Sequence, residues 1–331
     1  MRQSLRVFTV ACQTVVATQA FAETDAQWKP NAANKISTCR AIWIALGDVP
    51  TDSNAANRDT TIVCHSKFLR ARKGAKAVSN GFVLSHDNVS KTPDWVVERL
   101  TKAGVSGPQP RPSKSFSMER RVPPRGRARD ADYPPLASNF ARGHMAPSED
   151  FNTNADAMKD TFVLSNAVPQ IGPRFNGSVW GSLEDEARLA AKARDVVHVI
   201  TGPVRATGAS RTVTIAQSAN ACGKRIVLDG PAITNFCAKN DKGEPCDRGG
   251  VGVPVGIFKI IYDARSGDAY AFVLPNRDHD RGNTEIRPYL ENFRVGVDAI
   301  ESVTGLQFFT ELPADKRRQA REQCAPRTLW P

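Results

Sequence analysis

Residues Ala141 to Pro203 decide how this chain reads. In order they hold Ala141-Arg142-Gly143-His144-Met145-Ala146-Pro147, Thr161-Phe162-Val163-Leu164-Ser165-Asn166, Pro169-Gln170, Asn176, Trp180, Leu183-Glu184 and Thr201-Gly202-Pro203. In an extended segment residues i and i+2 share a face, so Arg142 and His144 point the same way across Gly143. An imidazole near neutrality takes a proton from water, and a guanidinium beside it neutralises a phosphate oxygen. Such a pair suits attack on a phosphodiester. Val179, Leu183, Ala187, Ala190 and Ala191 recur at helical spacing and predict a helix over 176–194. Asn176 and Glu184 fall on one slowly drifting stripe of it, with Trp180 between. An amide oxygen at Asn176 is a hard ligand suited to a hydrated Mg²⁺, and Glu184 can hold the ion's waters. Each residue also has an ordinary reading: Asn176 as a helix N-cap, Glu184 as a solvated helix residue, Trp180 as core.

Outward from this stretch, Gly81–His86 reads as a strand. Thr92-Pro93-Asp94 reads as a helix start, with Thr92 as N-cap and Pro93 in the first turn. Residues 107–130 are rich in Pro and Arg and read as a basic connector. Thr161–Asn166 and Val196–Val204 read as strands, and 205–250 as a loop excursion. Gly256–Ala264 and Ala269–Leu274 flank Arg265-Ser266-Gly267-Asp268, a hairpin signal. Leu290, Phe293, Val297 and Ile300 mark one helix, which Gly305 closes. Hairpins with irregularly spaced helices favour an α+β layered domain over a doubly wound parallel sheet. The sequence has neither a Gly-rich phosphate loop nor a G-x-S-x-G elbow.

Composition narrows the class further. The chain has 331 residues, 40% of them hydrophobic, which is enough for a sizeable core and too apolar for a disordered chain. It has no apolar run of about 18 residues, so no membrane partner is expected. A net charge of +11 favours a polyanionic partner. Residues 1–22 read as a signal peptide: Arg2 and Arg6, then a short apolar stretch, then Ala20-Phe21-Ala22. That implies a periplasmic or secreted protein, with a mitochondrial presequence as the rival. Cleavage there removes Cys12 and leaves Cys39, Cys64, Cys222, Cys237, Cys246 and Cys324, an even set suited to disulfides in an oxidising compartment. Residues 23–60 read as a polar extension, and 314–331 as a basic tail whose Lys316-Arg317-Arg318 are exposed.

Taken together, the ordered motifs resemble the DNA/RNA non-specific endonuclease family. Its pattern is Asp-Arg-Gly-His, a small-Pro step, Ser-Asn, Pro-Gln, Asn-x-x-x-Trp, Leu-Glu and Thr-Gly-Pro. The likeness extends through Arg111-Pro112 and Phe116, Val253-Pro254, Lys259, Val273–Asn276 and Glu301, and implies a nuclease domain over 61–313. It implies a ββα-metal nuclease fold with a central antiparallel sheet flanked by helices. It also implies Mg²⁺-dependent (Mn²⁺ possible) hydrolysis of DNA and RNA to 5′-phosphate products, with contacts to the phosphate backbone, and a possible homodimer. By position, His144 matches the general base, Asn176 the direct metal ligand and Glu184 a ligand through water. Asn166 matches a residue that positions the site, Arg111 an arginine near the scissile phosphate, and Arg142 a phosphate contact or support. Ala141 departs from the pattern, since the family has Asp there. The base and ligand remain, so activity is expected. The alternative is a catalytically impaired nucleic-acid-binding protein.

Overall fold

A computed structural model describes residues 25, 27 and 29, and then 39–329 apart from 54–57, 67–80, 114, 134–138, 208–209, 234, 237–249 and 326–328. The signal peptide expected at 1–22, Cys237 and Cys246 lie outside the described residues. A seven-stranded antiparallel sheet organises the chain. Its strands are β1 (Thr60–Ser66), β2 (Gly81–Asp87), β3 (Thr92–Thr101), β6 (Val196–Val204), β7 (Gly256–Asp263), β8 (Asp268–Pro275) and the short β9 (Arg294–Val295). Across the sheet they run β9-β8-β7-β6-β3-β2-β1. A separate hairpin, β4 (Phe140–His144) with β5 (Ala167–Ile171), carries the site.

Both faces of the sheet are covered, so its strands read as nearly unbroken apolar runs. Side chains alternate between the faces. Val96, Val199, Ile257 and Ile261 face one core, which the β4–β5 hairpin and the long helix cover. Val97, Ile200, Phe258 and Ile260 face the other, which holds Ile42, Leu46, Ile300, Phe308 and Phe309. That double burial explains one correction. Thr92–Thr101 is a strand and not the helix that Thr92-Pro93-Asp94 suggested. Trp95 and Val97 supply one core, Val96 and Leu100 the other, and tertiary packing overrides the local capping signal.

Three further expectations change. Thr161–Asn166 is not a strand: Val163 makes only an isolated bridge to Ser117, and Leu164–Asn166 is a 3₁₀ turn. The Asn166 amide folds it by donating to the carbonyls of Ala146 and Thr161. The 205–250 excursion contains a small hairpin of Thr212–Ile215 with Ile226–Asp229. The segment around Leu290–Ile300 is two helices, Ile286–Glu291 and Val297–Thr304, because β9 intervenes to pair with Ala271 and Phe272. Gly305 does close the second helix, at φ 72°.

The flanking segments are tied to the domain. Cys39 bridges Cys64 on β1, and Thr51–Asp52 pairs with Leu306–Gln307. Cys222 bridges Cys324 across 102 residues, a closure worth roughly 4–5 kcal/mol in the chain-entropy account. The Ala314–Glu322 helix buries Ala320 and pairs Arg321 with Glu301, while Lys316 and Arg318 face outward.

All five histidines, His65, His86, His144, His198 and His279, are buried. Burial holds each below the ordinary imidazole value, His144 at about 3 and His198 at about 4. At the histidines the unfolded chain therefore binds more protons below about pH 6.5, so their contribution to stability is full above that pH and is lost as pH falls toward 4. By pH 4.5 His144 and His198 should each remove roughly 2 kcal/mol. Urea midpoints of wild type and His198→Gln at pH 7.0 and 4.5 check this: the fall in midpoint on acidification should be smaller in the variant, and an equal fall would contradict it.

Candidate active site

The β4–β5 hairpin delivers His144, and its register depends on one glycine. A Cβ on Gly143 would stand 2.1 Å from Cδ of Gln170. The absence of a side chain at Gly143 leaves that space to the buried Gln170 side chain, which a Cβ would have to displace. His144 pairs across the hairpin with Ala167, and the chain then bends through Met145 and Ala146. Asn166 fixes that bend: Oδ1 accepts from Ala146 N at 2.9 Å, and Nδ2 donates to Ala146 O at 3.0 Å. Asn166 is fully buried and does not line the pocket. It acts on the site through the backbone that follows His144.

The long helix supplies the facing wall. It begins as a wide π-helical stretch, Gly172–Trp180, and continues as an α-helix, Gly181–Arg194. Asn276 anchors its approach, accepting from Ile171 N at 2.9 Å and donating to Pro169 O at 3.0 Å. Phe175, stacked on His279 at 5.2 Å, seats the turn that presents Asn176. Trp180 does not join Asn176 and Glu184 on the wall. It is fully buried, under the Lys259 ammonium 5.0 Å from its ring.

Hairpin and helix enclose a pocket of about 560 Å³. His144, Arg111, Arg142, Asn176 and Glu184 all line it, as do Glu149 and Arg188. The His144 ring rests against Phe116 at 4.7 Å and Phe162 at 4.8 Å. Burial, with the Arg111 charge, holds it at about 3, against the opposing pull of Glu149. It is therefore neutral near pH 7, the protonation state that a general base needs. Burial pushes the Glu184 carboxyl up to about 8, against Lys259 and Arg188. Arg142 pairs with Asp130 at 2.8 Å, and its guanidinium lies 5.4 Å over the Tyr133 ring.

Beneath the pocket lies a buried charge cluster that the sequence reading missed. Lys259 donates to Thr201 Oγ1 at 2.8 Å. Glu98 is 1% exposed, and burial next to Asp150 pushes its carboxyl well above the usual range. Arg188 reaches Asp150 at 2.7 Å and Asp185 at 2.6 Å. A signal for some of these residues was present. Arg188 continues the four-residue stripe from Glu184, and Lys259 is a lone charge inside the apolar run Ile257–Tyr262.

The donor set fits a hydrated divalent cation. Among the described residues no group of three or more His, Cys, Asp or Glu is placed to cage a metal. The pocket instead offers the Asn176 amide oxygen and the Glu184 carboxylate, hard oxygen donors suited to an ion that keeps most of its waters. Position 141 faces away from this set. Ala141 alternates with Arg142 and His144 and lies opposite Gln170, whose buried amide has no hydrogen-bond partner among the described residues.

Comparison with known proteins gives a consistent result. Residues 29–315 match the family model described as DNA/RNA non-specific endonuclease. A nuclease from Syncephalastrum racemosum is 32% identical over 245 residues, covering 72% of this chain and 68% of that protein. Bos taurus mitochondrial endonuclease G is 32% identical over 236 residues, covering 70% of this chain and 68% of its own. Homo sapiens mitochondrial nuclease EXOG is 29% identical, and this chain spans 58% of its length. The crystal structure of the EndoG/EndoGI complex contains a chain similar at TM-score 0.53 and 26% identity, over 74% of this chain and 88% of that one.

Replacing Gly143 with Ala should push the buried Gln170 side chain aside and disturb the hairpin that carries His144. The expected result is a lower melting temperature and at least a tenfold loss of any cleavage, on the order of a misplaced catalytic group. Thermal melts and a plasmid-nicking assay check it; wild-type behaviour in both would contradict the close approach to Gln170.

Proposed function

The chain belongs to the DNA/RNA non-specific endonuclease family, and we propose that it is a divalent-metal-dependent endonuclease cleaving DNA and RNA with His144 as general base. One observation carries this reading: a buried neutral imidazole, three arginines and a pair of oxygen donors converge on one pocket. His144 takes a proton from the attacking water. Arg111, Arg142 and Arg188 are placed to offset phosphate charge, and Asn176 with Glu184 through water would hold the cation. The cation, Mg²⁺ in this reading with Mn²⁺ as the alternative, adds charge stabilisation at the phosphate and the departing oxygen. The water oxygen bonds to phosphorus, the bond to the 3′ oxygen breaks as that oxygen takes a proton from a pocket water, and the ends carry 5′-phosphate and 3′-hydroxyl groups. Contacts to the phosphate backbone read no sequence, so both nucleic acids are substrates.

The departure at Ala141 does not favour a binding-only protein, because that side chain is directed toward Gln170 and not into the pocket. Two disulfides suit an oxidising compartment and support export, periplasmic or secreted, by way of the leader at 1–22. Mitochondrial relatives keep import into that organelle as the alternative.

Purified protein should degrade supercoiled plasmid and single-stranded RNA with Mg²⁺ and not with a chelator. His144→Ala should lower the rate by about 10²–10⁴, the range for a general base. Cleavage that survives this substitution would remove His144 from its role. Ala141→Asp should leave the rate within about threefold, give Gln170 a partner, and raise the melting temperature slightly. A large gain in rate would mean that position 141 acts on the chemistry after all.

A further inference from the structure

The three arginines of the pocket differ in how firmly they are held. Arg188 is 12% exposed and bonded to two carboxylates at 2.7 and 2.6 Å. Arg142 is 20% exposed and paired at 2.8 Å with Asp130. Arg111 is 56% exposed, and its carboxylate partner Glu149, at 42%, stands 3.3 Å away. An exposed pair at that distance is cheap to open. Aromatic packing keeps Arg111 in place independently of its partner, since its guanidinium lies 5.5 Å over the Phe162 ring. Phe162 also meets the His144 ring edge-on at 4.8 Å. The cation and the imidazole thus share one platform, and an oxyanion bound by Arg111 would stand beside His144.

Glu149 occupies that place in the free protein. It lies five residues beyond His144 on the 3₁₀ turn Ser148–Phe151, and it lines the same pocket. Ser148 Oγ donates to its Oε2 at 2.9 Å, which leaves Oε1 for Arg111. A carboxylate paired with a cation inside a phosphate-binding pocket competes with substrate for that cation, and like a phosphodiester it carries one negative charge shared over two acceptor oxygens.

We propose that Glu149 is an internal competitor for substrate phosphate: its carboxylate holds Arg111 in the free protein, and an entering phosphodiester takes its place on the same guanidinium. This deepens the nuclease reading and rests on it. Phe162 keeps Arg111 aligned throughout the exchange. It also lowers affinity for polyanions in general, so that a backbone which cannot reach both Arg111 and the rest of the pocket gains less. Glu149 is thereby a determinant of affinity and not a catalytic residue.

The test measures binding of a fluorescein-labelled 20-base-pair duplex by anisotropy, in chelator, so that turnover plays no part. Glu149→Gln keeps shape and the Ser148 contact while removing the charge. It should bind three- to tenfold more tightly than wild type, with a salt slope steeper by about one counterion. Arg111→Ala should bind more weakly, and adding Glu149→Gln to it should then give no gain within twofold. Unchanged or weaker binding by Glu149→Gln would overturn the proposal, because the carboxylate would then be holding Arg111 for the substrate. An equal gain with and without Arg111 would also overturn it, in favour of plain repulsion. Melting curves confirm that each variant is folded. Absence of metal-dependent cleavage by wild type would sink the nuclease reading and leave this binding result interpretable.

Discussion

Everything at the pocket depends on placing ionisable groups where water is scarce. Lys259 on β7, Glu98 on β3 and Thr201 on β6 project from adjoining strands into the core under the long helix. An isolated charge there would be costly, so the cluster needs its members together. Lys259 has Thr201 and the Trp180 face, and Arg188 has Asp150 and Asp185. Glu98 sits by Asp150, and burial beside that carboxyl favours its neutral form. The helix can cross this part of the sheet only in the position that completes these pairings, and that position puts Asn176 and Glu184 on the pocket wall.

The same economy governs the hairpin. β4 and β5 lie outside the main sheet, and no run of strands holds them in place. Their position is set by Gly143 against Gln170, by the Asn166 amide spanning the bend after His144, and by Asn276 gripping the end of β5. Three polar or missing side chains thus sharpen a position that the burial of Met145, Val168 and Ile171 already favours. Buried amides of this kind fix geometry more sharply than packing does, because an unpaired one is expensive.

The site was more legible in the sequence than parts of the fold. His144, Arg142, Asn176 and Glu184 stand at spacings that an extended segment and a helix bring to one place, and the structure lines a pocket with all four. Arg111 joins them across a variable connector. Strands buried on both faces were harder, since Thr92–Thr101 shows no alternation and begins with residues that also cap helices. Asp150, Glu149 and Asp185 were invisible for a different reason. Acidic residues in a turn and on a helix face look solvated, and only the third dimension brings Arg188, Lys259 and Arg111 against them. Asn166 was singled out, but its part is to hold the backbone and not to line the pocket.

The burial of all five histidines also shapes the protein's exterior. Imidazole is the side chain whose ordinary range falls between mild acidity and neutrality, and here the outer surface carries none. The positive potential around the molecule should keep nearly the same strength from about pH 5 to 8, and electrophoretic mobility should barely change across that interval. A nucleic acid approaching from solution would meet the same attraction in an acidified environment as in a neutral one. Any acid sensitivity in that range would then originate inside the pocket and the cores, after encounter, and not in how the two molecules find each other.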